Sequence, residues 1–481
     1  MDRCDGYPGQ PPGADPAGTH ALKTLSDPDR LLGEGLARLR ARYDVPSTFP
    51  PEVLAEAERT QHRTPSAHGD WTDRTFLTLD PAASTDLDQA FCIEPAGGDL
   101  VLHYALADIG WFVPQGGAIE AEAWRRGVTL YLPDGKARLY PPALSEGAAS
   151  LLPDAPRPAI VATVRCDHDG KVALEGIVRA VVHSRAKLGY ERVDPAEVPH
   201  LADFAARMQR CEEARGAARI DPPEQELQRG PDGGYQLQLR PWSPAENANA
   251  ALSLAANIAI AQALHAAGAG LFREMPAPDA RALARLRATA LGLGFDWQED
   301  VSLAAFERTV DPRTPAGAAF QFAVRRITGG ADYHPYRPGD RPWHAALGAT
   351  YCHATAPMRR LADRYVLETM LALATGAARH EDEPALFARL AETMNAADAR
   401  EGAVERAVLD LAEAALLAGR EGEVFAAIVT ERDERGARLQ LAELPVLARV
   451  DTRGVGSGER VLVRLVAADP VRGETRFERV R

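Results

Sequence analysis

Apolar residues recur at helical spacing close to the N-terminus, beginning just after residue 30. The positions that form this stripe are Leu31, Leu32, Leu36 and Leu39. Because residues three and four apart share one face of a helix, the stripe predicts an amphipathic helix. A second helix is predicted over residues 49–61, since the Pro50–Pro51 pair pre-sets the backbone of a first helical turn. We expect a small helical region over residues 23–70, behind a disordered tail over the Pro- and Gly-rich residues 1–22.

Between residues 73 and 182 the pattern changes to short runs of β-branched and aromatic residues separated by Pro, Gly and Asp. Such runs predict strands. They cover residues 75–80, 89–94, 100–109, 137–141, 159–167 and 172–182. Helical spacing then returns in alanine-rich stretches at residues 201–218, 247–271 and 278–293. These segments predict a mixed α/β domain over residues 71–380, followed by a helical connector over residues 381–418.

The last part of the chain, residues 419–481, has five short alternating strands separated by turns such as ERDERG and DPVRG. Five short strands in a segment of this length suit an OB-fold barrel, a fold that often binds single-stranded nucleic acid. A barrel that only packs against the main domain is an equally good interpretation of these residues. The whole chain therefore predicts a multidomain α+β protein.

Charge narrows the possible functions. The 481 residues include 55 Lys+Arg and 68 Asp+Glu, a net charge of -13, which argues against a protein that coats nucleic acid by bulk charge. A local basic channel is still compatible with this charge. The only lysines are Lys23, Lys136, Lys171 and Lys187. Nearly every cation is thus a guanidinium, which suits bidentate contacts with phosphate.

Cysteine usage and hydropathy bear on the compartment. The five cysteines form no C-x-x-C pair, so neither a disulfide framework nor a zinc site is suggested, and a reducing cytoplasm is expected. The N-terminus lacks the basic start and apolar run of a signal peptide. The most apolar stretch, residues 250–272, contains Asn257, Gln262 and His265, which favours a buried helix over a membrane span. No membrane role is expected.

Three carboxylates, Asp80, Asp86 and Asp88, fall close together after the first long strand. Asp86 and Asp88 are two residues apart, so in an extended chain their side chains project to the same side. With no lysine expected beside them, they would repel each other unless a hard cation lay between them, and Mg²⁺ takes such oxygen ligands. Short acidic runs near Ser and Thr are mostly exposed turns, and this segment taken alone favours that interpretation. An EF-hand calcium loop is less suitable, because its Gly and distal Glu are absent.

The segment DPAASTDLDQA, residues 80–90, resembles the signature of the ribonuclease II family, the RNB-type 3′→5′ exoribonucleases. Further segments resemble that family in the same order, at residues 103–113, 131–160, 178–193 and 351–363. The similarity extends from about Phe49 to the C-terminus. It implies an RNB-type catalytic domain in the central region, hydrolysis of single-stranded RNA from its 3′ end to nucleoside 5′-monophosphates, and Mg²⁺ as the cofactor, with Mn²⁺ as an alternative.

The resemblance also assigns residues. It implies that Asp80, Asp86 and Asp88 hold the metal, with Asp86 and Asp88 catalytic and Asp88 the residue most needed for cleavage. It implies that Arg359 lies beside the scissile phosphate and binds RNA, and that Tyr131 stacks on the 3′-terminal base. The matching positions that we expect to support the fold are His103, Asp108, Tyr190, His344 and Asp363.

The chain departs from the family pattern in three places. Gln89 stands where a second adjacent aspartate is usual, so it remains a further candidate metal ligand that brings no charge. The segment around Leu227 lacks an aromatic that could clamp the terminal base. The N-terminal region is too short for the cold-shock barrels of many relatives. Gln89 motivates a second hypothesis, a catalytically weakened RNA-binding protein that keeps the channel; in either case we expect a monomer.

Overall fold

The computed structural model describes residues 23–25, 31–217, 224–229, 235–240, 242–312, 314–378, 382–433, 436–442, 444, 446–450, 454–456 and 458–480. The predicted tail over residues 1–22 lies outside the described residues. The helices are α1 (Leu31–Arg42), α2 (Pro51–Thr60), α3 (Ile109–Phe112), α4 (Ala118–Arg126), α5 (Leu201–Ala214), α6 (Pro244–Ala266), α7 (Ala280–Gly292), α8 (Leu303–Glu307), α9 (Pro315–Thr328), α10 (Leu361–Thr375) and α11 (Glu383–Leu417). Within the described ranges, none of the helices has the length and apolar character that crossing a membrane would need.

The strands fall into one large sheet, one barrel and three small sheets. Those before α6 are β1 (Lys23–Leu25), β2 (Gly69–Asp70), β3 (Phe76–Asp80), β4 (Gln89–Ala96), β5 (Asp99–Ala107), β6 (Leu130–Leu132), β7 (Gly135–Ala137), β8 (Arg157–Cys166), β9 (Val172–Val182), β10 (Ser184–Gly189), β11 (Glu224–Arg229) and β12 (Tyr235–Arg240). Those after α6 are β13 (Leu271–Glu274), β14 (Asp332–Pro335), β15 (Val424–Asp433), β16 (Gly436–Leu441), β17 (Leu447–Val450), β18 (Arg460–Asp469) and β19 (Glu474–Arg479).

The predicted N-terminal helices are present as α1 and α2. Leu32 and Leu36 of the predicted stripe are buried in the main core. Gly35 lets α1 approach α11 closely, because a Cβ at this position would lie 2.6 Å from the side chain of Leu411. Helix α2 begins at Pro51, as the proline pair predicts. The helical N-terminal region of the predicted fold class is confirmed.

The large sheet has the strand order β10-β3-β4-β5-β8-β9-β2. Central strand β5 is buried along almost its whole length, because strands flank it on both sides and α6 contacts the sheet at β5, β8 and β9. One predicted strand is wrong: of residues 137–141 only Ala137 is in a strand, β7. Leu144–Ala148 instead form a π-helical turn just after it, so the Pro141–Pro142 pair separates the hairpin from that turn.

A separate helical cluster is formed by α7, α8 and α9 around a stack of aromatic rings. Trp297 and Phe306 stack with their ring centroids 4.8 Å apart, and Phe320 meets Phe306 edge-on at 5.2 Å. Beside them Glu307 is only 2% exposed, and neither carboxylate oxygen has a hydrogen-bond partner in the described part of the protein. Burial raises the pKa of Glu307 to about 8, and Arg308 offsets part of the rise.

We expect Glu307 to make the folded protein less stable as pH rises through the neutral range. Because the folded-state pKa of Glu307 lies above its unfolded value, between these values the folded protein keeps a proton that the unfolded chain has released. Raising the pH therefore favours unfolding, by roughly 3 kcal/mol between pH 5 and 8. Urea denaturation at several pH values gives the free energy of unfolding as a function of pH. In Glu307→Gln this free energy should no longer fall by that amount between pH 5 and 8, whereas in the exposed control Glu299→Gln it should fall as in the unmodified protein. If the free energy of unfolding of Glu307→Gln falls with pH as steeply as that of the unmodified protein, Glu307 is not the group responsible.

The C-terminal part consists of one 35-residue helix, α11, and a barrel. The strands β15-β16-β17-β19-β18 close on themselves, and buried and exposed residues alternate along the first half of β18. The interior of the barrel is a hydrophobic cluster that includes Val429, Leu439, Val463 and Leu465. The predicted five-stranded OB-type barrel is confirmed. The domain boundaries at residues 71, 381 and 419 stay a proposal.

Candidate active site

The acidic residues lie where the chain crosses from β3 to β4. Strand β3 ends at Asp80 and β4 begins at Gln89. Ser150 fixes the intervening loop: its hydroxyl accepts a hydrogen bond from the Leu87 N–H at 2.9 Å and donates one to the Thr85 carbonyl at 2.7 Å. The Leu87 side chain is fully buried in the core. Since alternate residues of an extended segment face opposite sides, the anchoring of Leu87 favours placing Asp86 and Asp88 together on the other side.

Asp88 is the most buried of the three carboxylates, with 2% of the residue exposed. One oxygen accepts a hydrogen bond from the Met358 N–H at 2.7 Å, and the other accepts one from Arg359 Nε at 2.6 Å. Burial raises the pKa of Asp88, and the Arg359 guanidinium and the Met358 N–H oppose that rise. Burial also lowers the pKa of Arg359, but Asp88, Tyr131 and Asp80 outweigh it and hold that pKa above its ordinary value. Arg359 therefore stays charged.

Asp86 forms an ion pair that corrects the sequence-based picture. The expectation that no lysine lies beside the cluster is wrong, because Lys136 Nζ is 2.6 Å from Asp86 Oδ1. Lys136 is on β7 and stands directly opposite Tyr131 of β6 in the antiparallel hairpin. Cross-strand partners lie side by side on one face, and the ammonium is 5.3 Å from the centroid of the Tyr131 ring. The hairpin therefore delivers both side chains to the carboxylates from a distant part of the sequence.

Asp80 lies in surroundings that disfavour its charged form. Its pKa is raised to about 7 by burial and by repulsion from Asp88 and Asp86, while Arg359 and Lys187 offset part of the rise. Lys187 is on β10, the parallel neighbour of β3. Its ammonium donates to the carbonyls of Ala82 and Ser84 and so holds the loop that follows Asp80.

The donor chemistry of this cluster suits a hard cation. Carboxylate oxygens are the ligands that Mg²⁺ prefers, and a cation would relieve the repulsion that raises the pKa of Asp80. Across the described residues, no three His, Cys, Asp or Glu side chains converge closely enough to enclose a metal ion. Lys136 and Arg359 instead contact oxygens of Asp86 and Asp88. The carboxylates thus fit one cation by chemistry and charge, without forming a ready cage.

Gln89 is engaged at both ends of its amide. Its carbonyl oxygen accepts a hydrogen bond from the Tyr104 hydroxyl at 2.5 Å, and its amide nitrogen donates to the Thr355 carbonyl at 2.6 Å. A carboxylate has no proton for the second contact, so an aspartate here would face the Thr355 carbonyl with a second acceptor. The amide is therefore suited to tying β4 to the segment that carries Arg359.

That segment, residues 351–360, is irregular and is fixed by side chains around it. Asn257 of α6 accepts a hydrogen bond from the Ala354 N–H at 2.9 Å and donates to the Tyr351 and Thr355 hydroxyls, both at 3.2 Å. Fully buried Asp363 accepts from the Ala356 N–H at 2.8 Å and pairs with Arg360. The two adjacent arginines are thereby separated: Arg360 is held by Asp363, and Arg359 reaches Asp88.

Tyr131 combines an open position with a charged environment. Of the whole residue, 46% is exposed. Its hydroxyl end is surrounded by protein, and this burial, together with the nearby Asp86 and Asp88, raises the pKa of the hydroxyl, while Arg359 opposes that rise. A backbone hydrogen bond links the chain just before the strand that carries Tyr131 to the segment that carries Arg359, because the Thr129 N–H donates to the Arg359 carbonyl at 2.9 Å. An accessible ring thus lies next to the Asp88–Arg359 pair.

The residues expected to support the fold have varied surroundings. His103 hydrogen-bonds Thr163 and Glu94, and Asp108 caps α3 and contacts His68 and Arg179. Tyr190 accepts a hydrogen bond from Asn249. The Nδ1 of His344 is buried without a partner in the described residues, and burial lowers the pKa of His344 to about 4. Leu227, the nearest candidate for a base clamp, is buried in the core.

Sequence reasoning missed Lys136, Lys187 and Asn257. Lysine rarity was an available signal for the first two, because only four of the 55 cationic residues are lysines. Asn257 gave no signal beyond being polar inside an apolar helix, since its partners are about a hundred residues away.

Two family models match the chain at the places that the fold and the acidic site define. The RNB domain model matches residues 69–376, and the model of the RNase II-type exonuclease C-terminal S1 domain matches residues 423–480. The chain belongs to the RNB-domain family of 3′→5′ exoribonucleases.

Individual relatives agree with this assignment. Ribonuclease R of Aquifex aeolicus is 26% identical over 492 aligned residues, which cover 91% of this chain and 69% of that protein. The structure of Mycoplasma genitalium RNase R in complex with ribose methylated single-stranded RNA has a TM-score of 0.82 at 20% identity, covering 95% of this chain and 79% of that chain. Yeast Ssd1, a pseudonuclease, has a TM-score of 0.66 at 16% identity, covering 92% and 59%. At these identities the two structures show the fold alone.

Proposed function

We propose that this protein hydrolyses single-stranded RNA from its 3′ end and releases nucleoside 5′-monophosphates in a Mg²⁺-dependent reaction. The observation that carries the proposal is the ion pair between buried Asp88 and partly exposed Arg359, with an N–O contact of 2.6 Å, beside the accessible ring of Tyr131. Family membership supports the same reaction class. Site residues Asp80, Asp86, Asp88, Tyr131 and Arg359 are part of this proposal.

Arg359 and Asp88 have complementary roles in the proposed reaction. The planar Arg359 fork donates to the non-bridging oxygens of the scissile phosphate, where negative charge grows as the bond to the leaving oxygen breaks. Each Asp88 oxygen has a second lone pair that can accept a hydrogen bond from the attacking water. Because burial raises the pKa of Asp88, its carboxylate is a stronger base than an exposed aspartate. When bound beside Asp80, Asp86 and Asp88, Mg²⁺ supplies Lewis-acid polarisation of the phosphate.

Tyr131 supplies a surface for the last base. Stacking on an aromatic ring accepts every base, as an enzyme that degrades any sequence requires. Lys136 under the ring and Arg359 at its hydroxyl fix the orientation of the ring. The base would then lie beside the phosphate that Arg359 contacts.

We expect Tyr131→Ala to release longer end products than the unmodified enzyme while binding long RNA almost equally well. Stacking contributes about 1–3 kcal/mol per base, and that share matters most when only a few nucleotides remain bound. The measurement is the length distribution of the final fragments from a labelled oligoadenylate on a denaturing gel. Tyr131→Phe keeps the ring and serves as the matched control. Identical end products from the alanine and phenylalanine variants would contradict the stacking role.

The barrel and α11 offer a route by which RNA could reach the site. Two adjoining cavities share Asp410, Arg472, Gly473 and Glu474. One, of about 540 Å³, lies between α1, α11 and the barrel. The other, of about 720 Å³, lies between α11, the barrel and Arg326 of α9. Their arginines are Arg38, Arg42, Arg326, Arg406, Arg438, Arg449, Arg472 and Arg476. Glu401, earlier on α11, is within electrostatic range of Arg359. The helix thus extends from the neighbourhood of the site to these cavities.

Product chemistry tests the proposed reaction. Incubation with single-stranded RNA and Mg²⁺ in ¹⁸O-labelled water should yield nucleoside 5′-monophosphates that carry the label on phosphate, because water attacks phosphorus and the 3′ oxygen leaves. Mass spectrometry of the released nucleotides distinguishes this result from cyclic or 3′-phosphate products. Release of either of the latter would contradict the proposal.

A second candidate function is RNA binding without efficient cleavage. Two observations favour it: Gln89 replaces an acidic residue of the signature, and the fold also matches a pseudonuclease. This candidate predicts a gel shift with single-stranded RNA and no shortening with Mg²⁺ or Mn²⁺. We favour the enzyme, because Asp80, Asp86, Asp88 and Arg359 are all present and electrostatically coupled.

A further inference from the structure

Lys136 is placed as a cation inside the acidic cluster. Its ammonium is 2.6 Å from Asp86 Oδ1, and only 25% of its side chain and 7% of the Asp86 side chain are exposed. Such a partly buried pair is less screened by solvent than a surface ion pair. Its position, between an aspartate and the Tyr131 ring, is one that a bound cation could occupy.

The position of Lys136 is fixed from outside the site. The turn that joins β6 to β7 is held by Arg40 of α1, which donates to both oxygens of Asp134 at 2.9 and 2.7 Å and to the Gly135 carbonyl at 2.9 Å. A bidentate arginine–carboxylate contact sets geometry as well as distance. The register of the hairpin then places Lys136 opposite Tyr131. Lys136 is therefore anchored through its backbone.

Lys136 adds one positive charge to the cluster of carboxylates. The carboxylates are Asp80, Asp86 and Asp88, and Gln89 adds an amide without charge. A divalent ion at Asp86 would compete with the ammonium for the same oxygen and be repelled by its charge. Two-ion sites hold their metals about 3.5–4 Å apart, which requires carboxylates on both sides.

We propose that Lys136 is a built-in cation that neutralises Asp86, limits the cluster to a single divalent ion and weakens the binding of that ion. This inference rests on the proposed function, since it assigns a property of the same site. The chain thereby carries, as a side chain, positive charge that would otherwise come from a second ion.

Direct metal binding tests the inference without relying on catalysis. Free Mn²⁺ is measured by electron paramagnetic resonance during titration of the full chain, as the unmodified protein, as Lys136→Met and as Lys171→Met. Lys171 is another of the four lysines, is exposed and lies outside the site, so it controls for the loss of one positive charge. We expect one Mn²⁺ per unmodified chain and per Lys171→Met chain. In Lys136→Met the Kd should fall about tenfold or more, a change of about 1.4 kcal/mol per factor of ten, and a second Mn²⁺ should bind.

The outcomes separate this inference from the proposed function. Equal Kd and stoichiometry for Lys136→Met and the unmodified protein overturn the inference, even if the unmodified protein shortens RNA. Tighter binding in Lys136→Met supports it, even if no RNA is cleaved. Lys136→Arg keeps the charge and should bind Mn²⁺ like the unmodified protein. If Lys136→Met does not fold by circular dichroism, Lys136→Gln takes its place with the same expected gain.

Discussion

Asp88→Asn should reduce the rate of RNA shortening by at least about 10³-fold, the largest loss that we expect from any single substitution. The substitution removes the carboxylate that pairs with Arg359 and that we propose holds the attacking water. RNA binding should remain, because Tyr131 and Arg359 are unchanged. Asparagine can still accept the Met358 N–H, so the loop keeps one of its two contacts. The measurement is the initial rate with a 5′-labelled oligomer, together with its Kd from a gel shift.

Asp70→Asn is the matched control for this prediction. Asp70 is an exposed aspartate whose carboxylate accepts hydrogen bonds from Thr72. The same chemical change there should leave the rate unchanged. If Asp88→Asn folds, binds RNA and shortens it at the unmodified rate, Asp88 is not a catalytic residue.

Arg359→Ala should reduce the rate by about 10²–10³-fold, the range seen when one donor to a developing oxyanion is removed. Arg359→Lys should recover little of this loss, because an ammonium lacks the planar fork that spans two phosphate oxygens. The alanine variant should also change the pH profile. Without the guanidinium, the pKa of Asp88 rises further, so the residual activity should increase with pH over a higher range than in the unmodified protein.

The exposed Arg341 provides the control for this variant, since Arg341→Lys makes the same conservative change outside the site. Its rate and pH profile should match the unmodified protein. An Arg359→Lys enzyme with full activity would show that charge alone suffices and would contradict the proposed fork. An unchanged pH profile for Arg359→Ala would contradict the coupling with Asp88.

The sequence predicts those parts of the fold that depend on local patterns. The stripe along α1, the proline pair at the start of α2 and the alternation in barrel strand β18 each specify an element through its own residues. The spacing of Asp86 and Asp88 likewise predicts a shared side, consistent with the buried Leu87 between them. Residues 137–141 are the exception, because they have a strand-like composition but run into the Pro141–Pro142 pair.

The surroundings of the carboxylates could not be predicted in the same way, because they depend on long-range packing. Lys136 reaches Asp86 from 50 positions away, and Gln89 is fixed by Thr355 from 266 positions away. Neither contact leaves a local pattern. Gln89 is an example. From the sequence it is only the loss of a negative charge. In the structure its amide makes two hydrogen bonds that a carboxylate could not both make.

The most direct test of the central claim is a time course with a 5′-labelled single-stranded RNA on a denaturing gel, with and without Mg²⁺, for the unmodified protein and Asp88→Asn. We predict a ladder that shortens progressively from the 3′ end with Mg²⁺, no ladder after chelation, and no ladder from Asp88→Asn. An intact substrate in every lane, with RNA bound in a parallel gel shift, would contradict the account and leave the RNA-binding function in its place.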